Sequence, residues 1–170
     1  GVPYRCDIKQ KIFTKPQKSL SAKMRPQNAS AKFSGVGRQL KGKRVLVVDD
    51  ARSNLSVVAG QLRVRDIESI LVESAEEAIE CMVRERPELI LMDIHMPDCD
   101  GFQALTRIRA DERISDAYVV AMTASASESD QARYVKAGFD GFLAKPIDSA
   151  GLDDHLAEAA KRFSEAGWEV

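Results

Sequence analysis

Short apolar runs alternate with longer amphipathic stretches along most of the chain. The first run is Val45–Val48, and it precedes four apolar residues with the three- and four-residue spacing of one helix face: Leu55, Val58, Ala59 and Leu62. The same pattern predicts strands at Ser69–Val72, Glu88–Met92, Tyr118–Met122 and Phe142–Ala144, and helices at Ala75–Arg84, Phe102–Arg109, Glu128–Ala137 and Leu152–Phe163. Five successive strand and helix pairs predict an α/β fold, a doubly wound parallel sheet with right-handed crossovers and helices on both faces.

The two ends of the first helix carry local signals. Ser53 or Asp50 is expected to cap its N-terminus, because either side chain can accept a hydrogen bond from a free backbone N–H. The stretch LRVRDIES after the helix contains no glycine, so another residue must close the turn into the second strand. Asp66 is the candidate for that position.

The chain changes character at residue 43. Residues 1–43 hold eleven Lys and Arg and one acid, a net charge of about +10, whereas residues 44–170 carry about −11. The N-terminal part is rich in Lys, Ser, Gln, Pro and Gly and shows no sustained periodicity. We therefore predict a basic, largely flexible linker at 1–42, a folded domain at 43–163 and a C-terminal tail at 164–170.

The basic linker favours a solvated tether over a nucleic-acid arm, because no aromatic residues are interleaved with its charges for base stacking. Ile8, Ile12 and Phe13 form a short apolar cluster that either docks on a partner or makes one helical turn. We expect no direct nucleic-acid contact. We also expect the linker to be dispensable for folding and chemistry, and to be drawn onto acidic surface in a salt-dependent way.

Composition narrows the class of protein further. The 170 residues are 44% hydrophobic, enough for one core. No run approaches the roughly eighteen apolar residues of a membrane span, and the basic N-terminus lacks the apolar stretch of a signal peptide. The three cysteines, Cys6, Cys81 and Cys99, fit neither a disulfide framework nor a zinc site. These features predict a cytoplasmic domain without membrane contact of its own.

Polar residues follow four of the five predicted strands. Asp49 and Asp50 follow the first, Asp93 the third, Thr123 the fourth and Lys145 the fifth. A single aspartate after a strand would be read as a helix cap, but three clustered carboxylates repel one another unless a cation is present. Oxygen ligands with room for water suit Mg²⁺ better than zinc.

The motifs KRVLVVDD, LILMDIHMPDCDG, VVAMTAS and GFLAKPI together resemble the receiver domains of two-component response regulators. The resemblance covers roughly residues 43–163, and its specificity lies in four ordered motifs whose key residues are 43, 30 and 22 positions apart. It implies a flavodoxin-like (βα)5 fold with strand order 2-1-3-4-5, an order for which a receiver is itself a standard example.

The resemblance implies a phosphoryl-transfer site. Asp93 would be the phosphoacceptor, taking a phosphoryl group from a phosphohistidine on a partner. Mg²⁺ would be held by Asp50, by Asp49 directly or through water, by Asp93, and by the backbone carbonyl of His95. The His95 side chain is expected to line the mouth of the site and modulate access rather than act as a base.

The remaining matched positions would support that chemistry. Lys145 would balance one phosphoryl oxygen and Thr123 would hydrogen-bond another. Ala124 would leave access to Asp93, and Pro146 would be a cis proline that aims Lys145 inward. Phe142 stands at the family's switch-aromatic position. It could act as a rotameric switch or be an ordinary half-buried strand residue, and the two roles are equally open. Unlike a tyrosine, it has no hydroxyl with which to signal.

The function implied is a phosphorylation-dependent module that switches or relays a signal, with self-phosphorylation and slow autodephosphorylation as its only catalysis. The favoured setting is the C-terminal receiver of a hybrid histidine kinase, whose parent chain could be membrane-anchored. The partner would be a histidine kinase or a histidine phosphotransfer protein, and the domain a monomer or a phosphorylation-dependent dimer. The alternatives are a stand-alone regulator, a Mg²⁺-dependent aspartyl-phosphate phosphohydrolase and a degenerate scaffold.

The partner surface is expected on the first helix, since a histidine donor must reach Asp93 and that helix begins directly after Asp50. Leu55 and Val58 are the candidates, although only one can point outward if the other packs on the sheet, and the alternative that both are core residues is equally open. Phosphorylation would repack the surface of Glu128–Ala137 with that of Phe142–Ala144 and the last helix.

Overall fold

The computed structural model describes Leu40 and residues 42–165. The alternation of strands and helices predicted from the sequence is confirmed, with ends that differ by a few residues. The strands are β1 (Arg44–Val48), β2 (Glu68–Val72), β3 (Leu89–Asp93), β4 (Tyr118–Thr123) and β5 (Gly141–Ala144). The helices are α1 (Arg52–Val64), α2 (Ala75–Glu85), α3 (Gly101–Ala110), α4 (Glu128–Ala137) and α5 (Ser149–Glu165).

All five strands are parallel and lie in the order β2-β1-β3-β4-β5, which confirms the predicted doubly wound sheet. Successive side chains of a strand point to opposite faces, so each central strand contributes to two cores. Leu46 and Ile90 pack with α2, α3 and α4, whereas Val47 and Leu91 pack with α1 and α5. The carboxyl ends of the strands therefore meet at one edge between two helical layers.

The start of α1 differs from the prediction. Its N-cap residue is Ala51, which makes no side-chain capping bond, so the expected cap by Ser53 or Asp50 is wrong. Ser53 lies inside the first turn, and the buried Asp49 carboxylate instead accepts the Ala51 N–H at 2.9 Å. This arrangement ties the helix start to the end of β1.

Among the described residues, two that are not glycine adopt left-handed backbone conformations at helix ends. Asp66 has φ +57° in the turn between α1 and β2, which confirms its predicted role in a turn without glycine. Arg86 has φ +46° at the end of α2 and was not predicted. Short polar side chains tolerate this conformation better than others do, which is why only the aspartate was a candidate.

The inner face of α1 includes both residues that were candidates for docking. Leu55 and Val58 are buried in the same core as Leu62. The prediction that one of them points outward is therefore wrong, because their three-residue spacing places both on the sheet side of the helix. The large apolar residues that α1 exposes are Val57 and Val64.

The ends of the domain extend beyond the predicted core elements. Leu40 is 2% exposed and belongs to the core beneath α1 and α5, and α5 runs to Glu165. Apart from Gly42, the other linker residues, including Ile8, Ile12 and Phe13, lie outside the described residues, as do the last five residues. Within Leu40 and 42–165, no helix is long and apolar enough to cross a membrane.

Candidate functional site

Three carboxylates meet at the carboxyl edge of the sheet. Asp49 and Asp50 follow β1, Asp93 ends β3, and one oxygen from each of the three lies within 4.8 Å of the others. Asp49 and Asp93 are buried, while Asp50 is exposed. The cluster predicted from the sequence is therefore formed, with one carboxylate facing solvent and two lying beneath it.

Asp49 is held by neighbours in α1. Its Oδ1 accepts the Ala51 N–H, and the Asn54 side-chain amide donates to Oδ1 at 3.2 Å and Oδ2 at 3.1 Å. Asn54 was not singled out in the sequence. The signal available was a polar residue in the first turn of a helix that follows the acidic pair, which is also what an ordinary surface position looks like.

Lys145 lies between the two buried carboxylates. Its Nζ is 2.7 Å from Asp49 Oδ2 and 3.1 Å from Asp93 Oδ1. Burial acts to lower the pKa of this ammonium, but its hydrogen bonds to Asp49 and Asp93 outweigh that effect and raise the pKa above its ordinary value. Lys145 therefore stays charged and offsets part of the repulsion. The Lys145–Pro146 peptide bond is cis, as predicted.

Asp93 is closely surrounded by the backbone of residues that follow it in the chain. Burial raises the pKa of its carboxyl above the ordinary value, against the opposing effect of Lys145. The His95 N–H donates to Asp93 Oδ1 at 3.2 Å, and the His95 residue itself is exposed. A Cβ at Gly101 would lie 2.8 Å from the Asp93 carbonyl oxygen, so only glycine fits at the start of α3. Gly101 was not identified from the sequence.

Thr123, at the end of β4, is fully buried and bonded away from the carboxylates. Its Oγ1 lies 2.9 Å from the Ser125 carbonyl and 2.8 Å from the hydroxyl of Tyr134. Ala124 is exposed beside it. Phe142 is partly buried on β5, with its ring centroid 6.2 Å from that of Tyr134. Tyr134 was not predicted as a site residue, because an aromatic residue on a helix is more often a core residue.

The donor set fits a divalent cation. Three carboxylates face a single ammonium, so the cluster keeps an excess of negative charge, and its ligand atoms are all oxygens. Mg²⁺ prefers a few carboxylates together with water, and the exposed position of Asp50 leaves room for water.

The sequence model of the family described as "Response regulator receiver domain" matches residues 45–157. The chain belongs to this family. It is a receiver domain of two-component or phosphorelay signalling. Membership favours the receiver prediction over the phosphohydrolase alternative.

Curated relatives include histidine kinases and a short regulator. "Probable histidine kinase 4" of Oryza sativa subsp. japonica is 33% identical over 145 residues, which cover 73% of this chain and 14% of that protein. "Sensor protein GacS" of Pseudomonas syringae pv. syringae is 35% identical over 155 residues, covering 86% of this chain and 17% of that protein. The chain thus spans less than a fifth of these two relatives. The response regulator DivK of Brucella suis is 30% identical over 105 residues, which cover 62% of this chain and 85% of that protein.

Solved receiver domains share the fold. The receiver domain of sensor histidine kinase PA1611 from Pseudomonas aeruginosa PAO1, with a magnesium ion coordinated in its active site cleft, is 32% identical with a TM-score of 0.64. The match covers 70% of this chain and 98% of that one. The receiver domain of Saccharomyces cerevisiae Ssk1, crystallised with the phosphotransfer protein Ypd1, is 24% identical with a TM-score of 0.65, covering 75% and 94%.

Proposed function

We propose that Asp93 accepts a phosphoryl group from a phosphohistidine of a partner protein in a Mg²⁺-dependent reaction, and that the receiver then switches or relays the signal. The observation that carries this proposal is the position of the Asp93 carboxylate. It is within 4.8 Å of the Asp49 and Asp50 carboxylates and 3.1 Å from the Lys145 ammonium. A carboxylate in this setting is an adequate nucleophile when charge on the transferred group is neutralised.

Mg²⁺ would be held by Asp50, Asp49 and Asp93 together with the backbone carbonyl of His95, and it would neutralise charge on the phosphoryl oxygens. In the transfer, an Asp93 oxygen forms a bond to phosphorus while the bond from phosphorus to the histidine nitrogen breaks. The imidazole keeps the electron pair of the broken bond. The carboxylate attacks without losing a proton, so no general base is required from the exposed His95.

Lys145 and Thr123 would hold the transferred group. Lys145 already contacts Asp93, so its ammonium is within reach of a phosphoryl oxygen attached there. Thr123 ends β4, the neighbour of β3 in the sheet, and can turn its hydroxyl toward a second oxygen. Ala124 keeps the approach open, since a larger side chain at this exposed position would crowd the acceptor.

We further propose that this receiver is part of a hybrid histidine kinase and exchanges phosphate with a histidine phosphotransfer protein. The support is the two kinase relatives, in which the matched segment is a small part of a longer protein, and the Ssk1 receiver crystallised with Ypd1. The DivK relative, of which the match covers 85%, keeps the stand-alone regulator as the second candidate. The cytoplasmic location and the monomer or phosphorylation-dependent dimer stay predictions.

Acetyl phosphate with Mg²⁺, followed by intact mass measurement, tests the phosphoacceptor. The unsubstituted protein should gain the mass of one phosphoryl group, and chelation of Mg²⁺ should prevent this gain. Asp93→Asn should abolish the gain in mass. Asp98→Asn, which changes an exposed acid in the loop after β3, should not. Release of phosphate without accumulation in the protein would support the phosphohydrolase, and no reaction at all would support the scaffold.

A further inference from the structure

The hydroxyl of Thr123 is part of a closed set of hydrogen bonds. Thr123 Oγ1, Tyr134 OH and the Ser125 carbonyl oxygen form a triangle with sides of 2.8, 2.9 and 3.0 Å. The Ser125 N–H also donates to Thr123 Oγ1 at 3.1 Å. Each hydroxyl has a single proton to donate, so both protons find acceptors within the triangle. In this state the Thr123 hydroxyl is committed to Ser125 and Tyr134.

The Tyr134 ring lies where α3, α4 and β5 meet. It is 4% exposed and stacks on Phe102 of α3 with a centroid distance of 5.9 Å. The rings of Phe139 and Phe142 lie 6.3 and 6.2 Å away. Phe142 on β5 has no hydroxyl, so the ring hydroxyl that meets Thr123 comes from α4.

We propose that Tyr134 is a positioning residue that holds the Thr123 hydroxyl in the resting receiver and transmits its movement to α4 when Asp93 is phosphorylated. The inference rests on the proposed function, because it needs a phosphoryl group at Asp93. A phosphoryl oxygen there is a strong, charged acceptor for the Thr123 proton. To donate to that oxygen, the Thr123 hydroxyl must turn away from the Ser125 carbonyl and the Tyr134 hydroxyl, which breaks its contacts within the triangle.

The Tyr134 hydroxyl keeps an acceptor after Thr123 turns away, since the Ser125 carbonyl remains 3.0 Å from it. The Tyr134 ring is then held by one polar contact instead of two. A displacement of the ring would move α4, to which it belongs, and would alter its packing against Phe102 and Phe142. The residue thus connects the phosphoryl site to the surface of α4 and β5 by direct contacts.

Removal of the Tyr134 hydroxyl should affect the two states unequally. In the resting state Tyr134→Phe loses the 2.8 Å bond to the buried Thr123 hydroxyl. In the phosphorylated state it loses only a bond to the carbonyl of the exposed residue Ser125, where water can replace it. The variant should therefore bind a phosphoryl analogue about three- to ten-fold more tightly than the parent.

The test uses the full chain with Mg²⁺ and beryllofluoride as the phosphoryl analogue, followed by amide NMR. In Tyr134→Phe, Kd should fall about three- to ten-fold, and the amide shifts induced in α4 should fall by about half or more because the contact that carries them is gone. The shifts around Asp93 should persist. Tyr118→Phe is the matched control, since Tyr118 is also buried but its hydroxyl pairs with His155 on the other face.

Repeating Tyr134→Phe in a Thr123→Val background separates a coupled role from simple packing. If Tyr134 acts through Thr123, Kd should then change by no more than about two-fold. An unchanged Kd with unchanged α4 shifts, or the same change in both backgrounds, would overturn the inference while leaving the proposed function standing. If beryllofluoride failed to bind the parent chain, the proposed function would fall, and the inference with it.

Discussion

Charge at the site is balanced by individual residues rather than by a large network. Asp49 is satisfied by Asn54, the Ala51 N–H and Lys145, and Asp93 by Lys145 and the His95 N–H. The exposed Asp50 has no comparable role in supporting the fold, so its carboxylate is the part of the cluster most available to a cation.

Mg²⁺ should raise the melting temperature of the receiver, because a ligand that binds only the folded state stabilises it by mass action. Asp50→Asn should remove most of that increase, since it takes away one of three carboxylate ligands. Calorimetry with increasing Mg²⁺ measures the effect, and Asp98→Asn, an exposed acid in the loop after β3, should respond like the parent. A full Mg²⁺ response in Asp50→Asn would remove Asp50 from the metal site.

Lys145→Met should destabilise the metal-free receiver by about 1–3 kcal/mol, because it leaves two buried carboxylates without their shared cation. Urea unfolding at neutral pH in the presence of a chelator measures this. The control is Lys136→Met, a substitution of the same type at an exposed position of α4, which should change stability little. Equal stability of Lys145→Met and the parent would show that the ammonium does not balance the cluster.

At the scale of elements, α1 supports the core and the site with its inner face and first turn, and it presents apolar side chains to solvent on its outer face. Its inner face packs Leu55, Val58 and Leu62 into the core, and its first turn supplies Asn54 to Asp49. Its outer face exposes Val57 and Val64. Because α1 starts at Arg52, two residues after Asp50, we expect a partner that reaches Asp93 to contact this outer face.

Val57→Asp should slow phosphotransfer from a cognate phosphohistidine protein by about ten-fold or more, because it places an unpaired charge in an apolar contact. Val57 is 57% exposed, so the fold should tolerate the change. Val135→Asp on α4, at 67% exposure, is the matched control, and neither variant should alter phosphorylation by acetyl phosphate. Transfer to Val57→Asp at the parent rate would place the docking surface elsewhere.

At the scale of the whole molecule, the two helical layers enclose separate cores, and the sheet between them carries the site at one edge. The chain enters this structure before the predicted boundary at residue 43, since Leu40 is buried with α1 and α5. The opposite net charges of the two parts of the chain, about +10 and −11, therefore meet at a segment that is anchored by an apolar contact.

A chain that begins at Gly42 should fold and accept phosphate but be less stable than one that begins at residue 38, by about 1–3 kcal/mol for the loss of one buried leucine. Chemical denaturation of the two chains measures the difference, and Leu40→Ala in the full chain should reproduce most of it. Equal stability of both chains would place the boundary at residue 43 as predicted. Failure of the shorter chain to fold would show that the domain begins earlier.

The order of elements and the nature of the site follow from local pattern. Apolar runs and helical spacing reflect the periods of strand and helix, so the five strands and their helices were predicted to within a few residues. The polar residues after the strands were expected to cluster because parallel strands bring their carboxyl ends together. The roles of Asp93 and Lys145 came from the resemblance carried by the four motifs. Asp66 in the turn after α1 was predictable from the local sequence, whereas the cis bond at Pro146 was implied by the family resemblance alone.

Only the tertiary structure decided which face of each helix meets which neighbour. Asn54 reaches Asp49, and Tyr134 reaches Thr123, although nothing in the spacing of these two residues distinguishes them from other helical positions. The same holds for Gly101, whose small size is required only because the Asp93 carbonyl lies against it. The periodicity of apolar residues is a property of one segment. The partner of a given side chain depends on how that segment is rotated and packed against residues distant in the chain.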